Sequence, residues 1–423
     1  MKILFIGARL FDDVALYARK KGITTILTES NPQSAHLELA DSYHIVSRGM
    51  EEPKEIALNE DVDAVVPLMG VDGPLPEIAR MKEELESVYN LPVITSGVNA
   101  TSISGDKLKT KEFLTLNGIK TPEFRRIRKN PWTKNSGPSV ERGISQDSSQ
   151  NLSSSNEKPL NHGEPLKYKK LLKNDLKRKL PLVLKKSTGQ GGSGVKIVSS
   201  PEDVDKYFNE WNDESEIFME RFMEGVEVSI EVLRYNNESV PLVPVYKGNT
   251  TLEGVHPLKK VKKAPLNLKG VDNQQNNQMI MELADRIAKL MGVEGTMDID
   301  IIFDTKTKEN CVIEMNTRPS GTRYITAAST GINPIHEMVD MACGEWKASK
   351  VKKSMKQFSA FEIPVGSYKS NRNNYKFRDF SGENSWIVHG PENYERITIR
   401  GKTCTDALKT AQNLGINLHS KLY

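Results

Sequence analysis

The strongest constraint on the fold of this 423-residue chain lies near its start, where short apolar runs alternate with helix-patterned segments. KILFIGA, TTILTES, DAVVPLM and LPVITS each read as a buried strand. Between the first two, DDVALYARKKG reads as a helix that stops at glycine. Parallel strands need helical crossovers, so this alternation predicts an open parallel sheet over residues 1–104. Gly7 follows the first strand, but IGARLFDD lacks the GxGxxG dinucleotide fingerprint, so NAD is weakly supported. Residues 29–32 stand at the carboxyl end of the second strand, where such sheets can bind a small ligand.

Composition closes off several function classes. Hydrophobic residues make up 37% and aromatics 7%, which suits a polar globular enzyme. No apolar run is long enough for a membrane helix, and acids follow the first strand too soon for a secretory signal. The 3 cysteines are far apart with no CxxC spacing, which argues against a zinc site or disulfide framework and fits a reducing, cytoplasmic setting. The net charge is +4, yet residues 164–180 alone hold seven basic and two acidic residues. The basic surplus is therefore local, and nucleic acid is a disfavoured partner.

Beyond residue 104 the pattern changes. Asp106 to Leu116 reads as a helix stopped by Gly118. An insert at about 130–178 follows, rich in Ser, Asn and Gln and then in Lys, with almost no apolar periodicity. It cannot bury enough surface to offset its ordering entropy and reads as disordered, with a basic tail. Order resumes with PLVLKKSTGQGGSGVKIVSS: strand, glycine loop, strand. Ser200-Pro201-Glu202-Asp203 opens a helix. A strand pair turns at Asn236-Asn237, and residues 279–291 carry Ile280, Leu283, Ile287 and Leu290 on one helix face, ended by Gly292. Residues 347–423 read as a small α+β segment.

Two segments carry chemistry. In MDIDIIF (297–303), alternation places Asp298, Asp300 and Ile302 on one face of a strand. In CVIEMN (311–316), it places Val312, Glu314 and Asn316 together. A short polar loop joins the two, so an antiparallel hairpin would bring Asp300, Glu314 and Asn316 to one side. These are hard oxygen ligands suited to magnesium that is shared with phosphate. The same pattern also fits the polar outer face of an ordinary hairpin. The second segment is STGQGGSG (187–194), flanked by Lys185 and Lys186. Its backbone amides can approach phosphates, although no GK[ST] follows and glycine loops also occur as linkers. Together, loop and acids describe both ends of a nucleoside triphosphate.

From Asp106 to about Gly344 the chain resembles the ATP-grasp superfamily, most of all a single synthetase unit of the carbamoyl phosphate synthetase large subunit and its carboxylate–amine ligase relatives. DKLKTKEFLTLNGIKTP, LPLVLKKSTGQGGSG, EIFMERFMEGVEVSIEV, EGVHPLKKVKKAP, GTMDIDIIFD and VIEMNTRPSGTRYITAASTGINPI match in family order. The resemblance implies a Rossmann-like pre-ATP-grasp domain (1–104), an ATP-grasp fold (105–346) and the C-terminal α+β segment. It implies that Lys107, Lys185, Gly191, Gly192, Ser193 and Gly194 meet ATP phosphates, with Lys111 as the alternative to Lys107. Glu220, Arg221 and Met223 fall at the adenine hinge, the last two largely through their backbone. Glu227 falls at the ribose and His256 on the phosphate side. Asp300, Glu314 and Asn316 would hold Mg2+ or Mn2+, as two ions. Arg318 and Arg323 would steady the transferred phosphoryl group and the acyl oxyanion.

The implied activity is ATP-dependent ligation of a small-molecule carboxylate to an amine through an acyl phosphate, releasing ADP and phosphate. A bicarbonate-using carboxylase or carbamoyl phosphate enzyme is the alternative, and a non-catalytic nucleotide-binding module a further one. A single grasp unit counts against full carbamoyl phosphate synthesis, which uses two. No membrane partner is expected, and a homo-oligomer stays open.

Overall fold

The computed structural model describes residues 1–128, 139–142, 180–189, 192, 194–211, 216–254, 259–366, 380–391 and 393–416. The chain opens with β1 (Lys2–Ile6), α1 (Ala15–Lys20), β2 (Thr24–Glu29), β3 (Ser42–Ile45), α2 (Glu51–Asn59), β4 (Ala64–Pro67) and α3 (Leu75–Tyr89). The strands form a parallel sheet in the order β3-β2-β1-β4. Its centre is buried on both faces: Ile3 and Phe5 join one apolar cluster, Leu4 and Ile6 another. That is why its strands read as continuous apolar runs.

Two readings of this region need correction. LPVITS contributes only an isolated bridge, Val65 to Val93. The missed strand is β3, whose four residues are mostly exposed at the sheet edge, where backbone pairing needs no apolar pattern.

Next come α4 (Val98–Ser104) and α5 (Lys107–Leu116), then a small sheet built from β5 (Phe124–Arg128), β6 (Ser139–Arg142), β7 (Leu182–Lys186), β8 (Val195–Val198) and β9 (Ile217–Arg221), with α6 (Pro201–Glu210) packed on it. The strand order is β6-β5-β9-β7-β8. α6 starts as expected, with a reciprocal capping box between Ser200 and Asp203. The insert is not wholly without structure: Ser139–Arg142 pairs antiparallel with β5. This strand is held through backbone ladder hydrogen bonds, which composition does not reveal. The rest of the insert lies outside the described residues.

The large sheet contains β10 (Gly225–Tyr235), β11 (Glu238–Pro241), β12 (Val245–Asn249), β13 (Lys262–Ala264), β14 (Gly295–Asp304), β15 (Asn310–Asn316), β16 (Ser359–Gly366), β17 (Ser385–His389) and β18 (Glu395–Gly401). Its order is β15-β14-β10-β12-β13-β16-β18-β17, with β11 on β10. Among the described residues, the strands after residue 347 therefore extend this same sheet.

α7 (Asn273–Met291) covers one face. Val226, Val228, Ile230, Met297, Ile299 and Ile301 bury there against Ile280, Ala284 and Ile287. α7 starts earlier than its apolar face suggests, because Asp272 caps a polar first turn by accepting from the Gln275 amide. The other face carries the polar residues of β10 and β14 and is met by α8 (Arg323–Thr330) and α9 (Pro334–Ala342); α10 (Ala348–Ser354) and α11 (Cys404–Asn413) complete the chain. Among the described residues no helix is long and apolar enough to cross a membrane.

Candidate active site

Burying the odd-numbered residues of β14 against α7 turns Asp298 and Asp300 to the opposite face. The antiparallel register sets Asp300 against Glu314 and Asp298 against Asn316. Immediately beyond, the ladder skips Ile313, so Val312 pairs with Ile301 and joins the apolar core. This β-bulge corrects the simple alternation, which grouped Val312 with Glu314 and Asn316. Asp298 lies at the buried end of the acid row, where Ser229 Oγ donates to it. Burial, reinforced by the neighbouring Asp300 charge, pushes its carboxyl up to about 6. Glu314 stays open, with 32% of its side chain exposed.

Four cations, from four segments of the chain, line this site. Lys107 Nζ, from α5, lies 3.4 Å from Glu314 Oε1 and donates to the Gly189 carbonyl. Lys247 Nζ, from β12, lies 2.5 Å from Asp300 Oδ1. Lys260 Nζ lies 2.6 Å from Glu227 Oε1. Arg318 follows β15; its Nη2 donates to Asn316 Oδ1 at 3.4 Å, and its Nε donates to Asp72, in the loop after β4. The site thus forms where the parallel sheet meets the large one. Lys247, Lys260 and Asp72 were not foreseen. Their placement depends on which strands become neighbours, and no local motif records that.

The small sheet supplies the other wall. Asp106 caps α5 by accepting from the Leu108 and Lys109 amides, and the Lys107 amide donates to the Ser187 carbonyl at 2.7 Å. This fixes α5 to the start of the glycine loop. Gly194 has φ +71°, and a Cβ there would come within 2.8 Å of the Lys186 side chain, so glycine is required. Gly192 is also left-handed, while Gly191 and Ser193 lie outside the described residues. His256 lies outside them too.

Lys185 does not stand free: its ammonium contacts Glu220 Oε1. Lys111 Nζ lies 2.9 Å from Glu220 Oε2 and donates to Thr121 Oγ1 at 2.7 Å. Burial drives the Lys111 ammonium down to about 8, against the pull of Glu220. Burial opposes the Glu220 charge too, but the Lys111 and Lys185 ammoniums outweigh it and hold the carboxyl below its usual range. The Glu220 side chain therefore anchors two lysines. The Arg221 amide is likewise used, donating to the Glu123 carbonyl at 2.9 Å, and Met223 is half-buried beyond it.

Arg323 is held by an ion pair. Its Nε and Nη2 lie 3.1 and 3.0 Å from Asp13 Oδ2, and its Nη1 donates to the Ser320 carbonyl at 3.2 Å. Tyr324 Oη donates to Asp13 Oδ1 at 2.6 Å. The guanidinium thereby clamps α8 to the first turn after β1.

The donor set fits a divalent ion. Asp300 and Glu314 face one another, Asn316 adds a carbonyl one pleat on, and two ammoniums already offset the acids' charge. Among the described residues no three His, Cys, Asp or Glu side chains gather as a metal cluster. A metal here would therefore draw its other ligands from phosphate oxygens or water.

A family profile described as "Carbamoyl-phosphate synthase L chain, ATP binding domain" matches residues 148–348. The chain is 42% identical over 400 residues to a carbamoyl-phosphate synthase of Methanobrevibacter smithii, covering 95% of this chain and 96% of that one. Two solved structures share the fold. An L-amino acid ligase from Bacillus licheniformis matches with TM-score 0.67 and 17% identity, covering 98% of this chain and 97% of that one. The biotin carboxylase domain of Hydrogenobacter thermophilus 2-oxoglutarate carboxylase, solved with MgADP and bicarbonate, also matches with TM-score 0.67 and 17% identity, covering 98% and 89%. The chain belongs to the carbamoyl-phosphate synthase family of ATP-grasp ligases, enzymes that form carbon–nitrogen bonds.

Proposed function

We infer that this chain transfers the γ-phosphoryl group of ATP to a carboxylate and couples the resulting acyl phosphate to an amine, forming an amide or peptide bond. The observation that carries this reading is the Asp300–Glu314 pair, facing across two strands, each acid beside an ammonium, with Arg318 at the strand end. Lys107 links that face to the glycine loop, so donors run from the loop to the acids.

In this reading Lys107, Lys185 and the amides of Gly191, Gly192, Ser193 and Gly194 take the phosphates, and His256 lies on the phosphate side. Adenine meets the hinge around Glu220, Arg221 and Met223 through backbone groups, because the Glu220 carboxylate is engaged by lysines. Glu227 takes the ribose. Asp300, Glu314 and Asn316 would hold magnesium, which when bound offsets phosphate charge. The carboxylate oxygen bonds to the γ-phosphorus as the bond to the β-phosphate oxygen breaks and ADP leaves. The amine then attacks the acyl carbon, phosphate departs, and the amine's proton passes to solvent or phosphate. Arg318 stabilises the charge on the transferred group, and no protein nucleophile is needed.

A second reading has bicarbonate as the carboxylate. It is favoured by the full-length match to a relative of nearly the same size named as a carbamoyl-phosphate synthase, which weakens the objection from unit count. Hydroxylamine trapping separates the two. The enzyme is given ATP, Mg2+, hydroxylamine and, in separate reactions, a panel of amino acids or bicarbonate. A hydroxamate formed in step with ADP from an amino acid supports the amide-forming reading. ADP release with bicarbonate alone moves the assignment to the second. No carboxylate-dependent ADP in any reaction removes both.

A further inference from the structure

Lys247 was foreseen by no motif and is used by no step above. It rises from β12, separated from β14 by β10, and points its ammonium at Asp300. The contact is 2.5 Å, with only 15% of the lysine side chain and 17% of the aspartate side chain exposed.

The two cations beside the acid pair are not equivalent. Lys107 belongs to α5 and also bonds the glycine loop through Gly189, so it is tied to the phosphate-binding wall. A triphosphate arriving there offers Lys107 new oxygen partners and frees Glu314. Lys247 belongs to the same sheet as the acids and is buried among three carboxylates. It has no comparable exit.

A fixed ammonium on Asp300 supplies the positive charge that a second divalent ion would bring. It also repels such an ion, the more so because burial weakens the screening of the two like charges by water. Glu314, the more open acid of the pair, has only the cation it shares with the glycine loop, and Asn316 carries no charge for a fixed cation to neutralise. We propose that Lys247 acts as a built-in cation at Asp300, so that the nucleotide complex holds one divalent ion, on Glu314 and Asn316, instead of two. This rests on the ligase reading for the position of the nucleotide; it withdraws Asp300 from the magnesium ligands of that reading and departs from the two ions that the family resemblance implies.

The test counts metal and does not depend on turnover. The full chain is mixed with an equimolar non-hydrolysable β,γ-imido analogue of ATP and titrated with Mn2+, followed by electron paramagnetic resonance. The wild type is expected to bind one Mn2+ per complex, with the spectrum of an isolated ion. Lys247→Met is expected to take up a second Mn2+ and show the broadening of two coupled ions about 3.5–4 Å apart. Two coupled ions in the wild type overturn the proposal and leave the ligase reading standing. Failure of the analogue to promote Mn2+ binding overturns both. The wild-type count decides the matter even if Lys247→Met does not fold.

Discussion

Glu314 stands directly opposite Asp300 while Val312, two residues earlier, lies in the core, because the ladder skips Ile313 between them. The bulge lets one strand serve both a packed core and a solvent-facing acid. Replacing Glu314 or Asn316 by Ala should therefore leave the fold intact and reduce kcat by on the order of 10²–10³. Circular dichroism and thermal melting should match the wild type, and Mg2+-dependent nucleotide binding should weaken. Wild-type turnover in the Glu314 variant would remove this residue from the site.

Arg323 should report on stability first. Its removal leaves the Asp13 carboxylate, 5% exposed, without its main counter-charge. Arg323→Ala is expected to cost about 3–5 kcal/mol, read as a lower urea midpoint with an unchanged slope. If the variant keeps wild-type stability and loses only kcat, the clamp between α8 and the turn after β1 is not what this arginine is for.

Much of this was legible in the sequence, and the misses share a cause. The parallel sheet, the Ser200 cap, the acid hairpin and the glycine loop are local: a few adjacent residues state them. The lysine on Asp300 and the aspartate on Arg318 join positions 53 and 246 residues apart. They exist because β12 lies next to β10, and because the β4–α3 loop reaches the end of β15. Edge strands β3 and β6 escaped for a different reason: pairing through the backbone leaves their side chains free of any hydrophobic pattern.

The insert gives a sharper expectation now that β6 is placed. Deleting residues 143–163 should change activity less than about twofold and stability little, because the segment's composition cannot form a core and shortening a surface loop changes closure entropy only slightly. Deleting 133–163 also removes β6 and bares the β5 edge, so that shorter chain should aggregate more readily. Light scattering on warming and steady-state kinetics on both deletions check this. A tenfold loss of kcat/KM in the first would give the segment a part in the site.

Glu231 predicts a pH dependence of stability. It is fully buried opposite Asp298 on β10 and β14, and burial, then the Asp298 charge, push its carboxyl up to about 8. The unfolded chain releases this proton near pH 4.3. Between there and about 8 the folded state holds more protons, so stability falls as pH rises through that window. Glu231→Gln keeps the shape without the proton to lose, and should flatten the fall, making the variant relatively more stable at pH 8 than at pH 5. Parallel denaturation curves for wild type and variant at both pH values would contradict a carboxyl held protonated by the fold.

The bond broken in ATP can be argued from the two walls of the site. The glycine loop and Lys185 lie in the small sheet, while Asp300, Glu314, Asn316 and Arg318 lie in the large one, and Lys107 touches both walls. A triphosphate laid from loop to acids has its inner phosphates under the loop amides and its γ-phosphoryl group before Arg318. An incoming carboxylate therefore finds the γ-phosphorus, while the α-phosphorus stays covered. The products should be ADP and phosphate in equal amounts, with no AMP or pyrophosphate. Positional isotope exchange gives a second check. With the carboxylate present and the amine withheld, an 18O label in the β,γ-bridge of ATP should scramble into β-nonbridge positions, because acyl phosphate formation is reversible. Carboxylate-dependent pyrophosphate, with the β,γ-bridge label left in place, would mean that the nucleotide lies the other way round and that adenylation, not phosphorylation, activates the substrate.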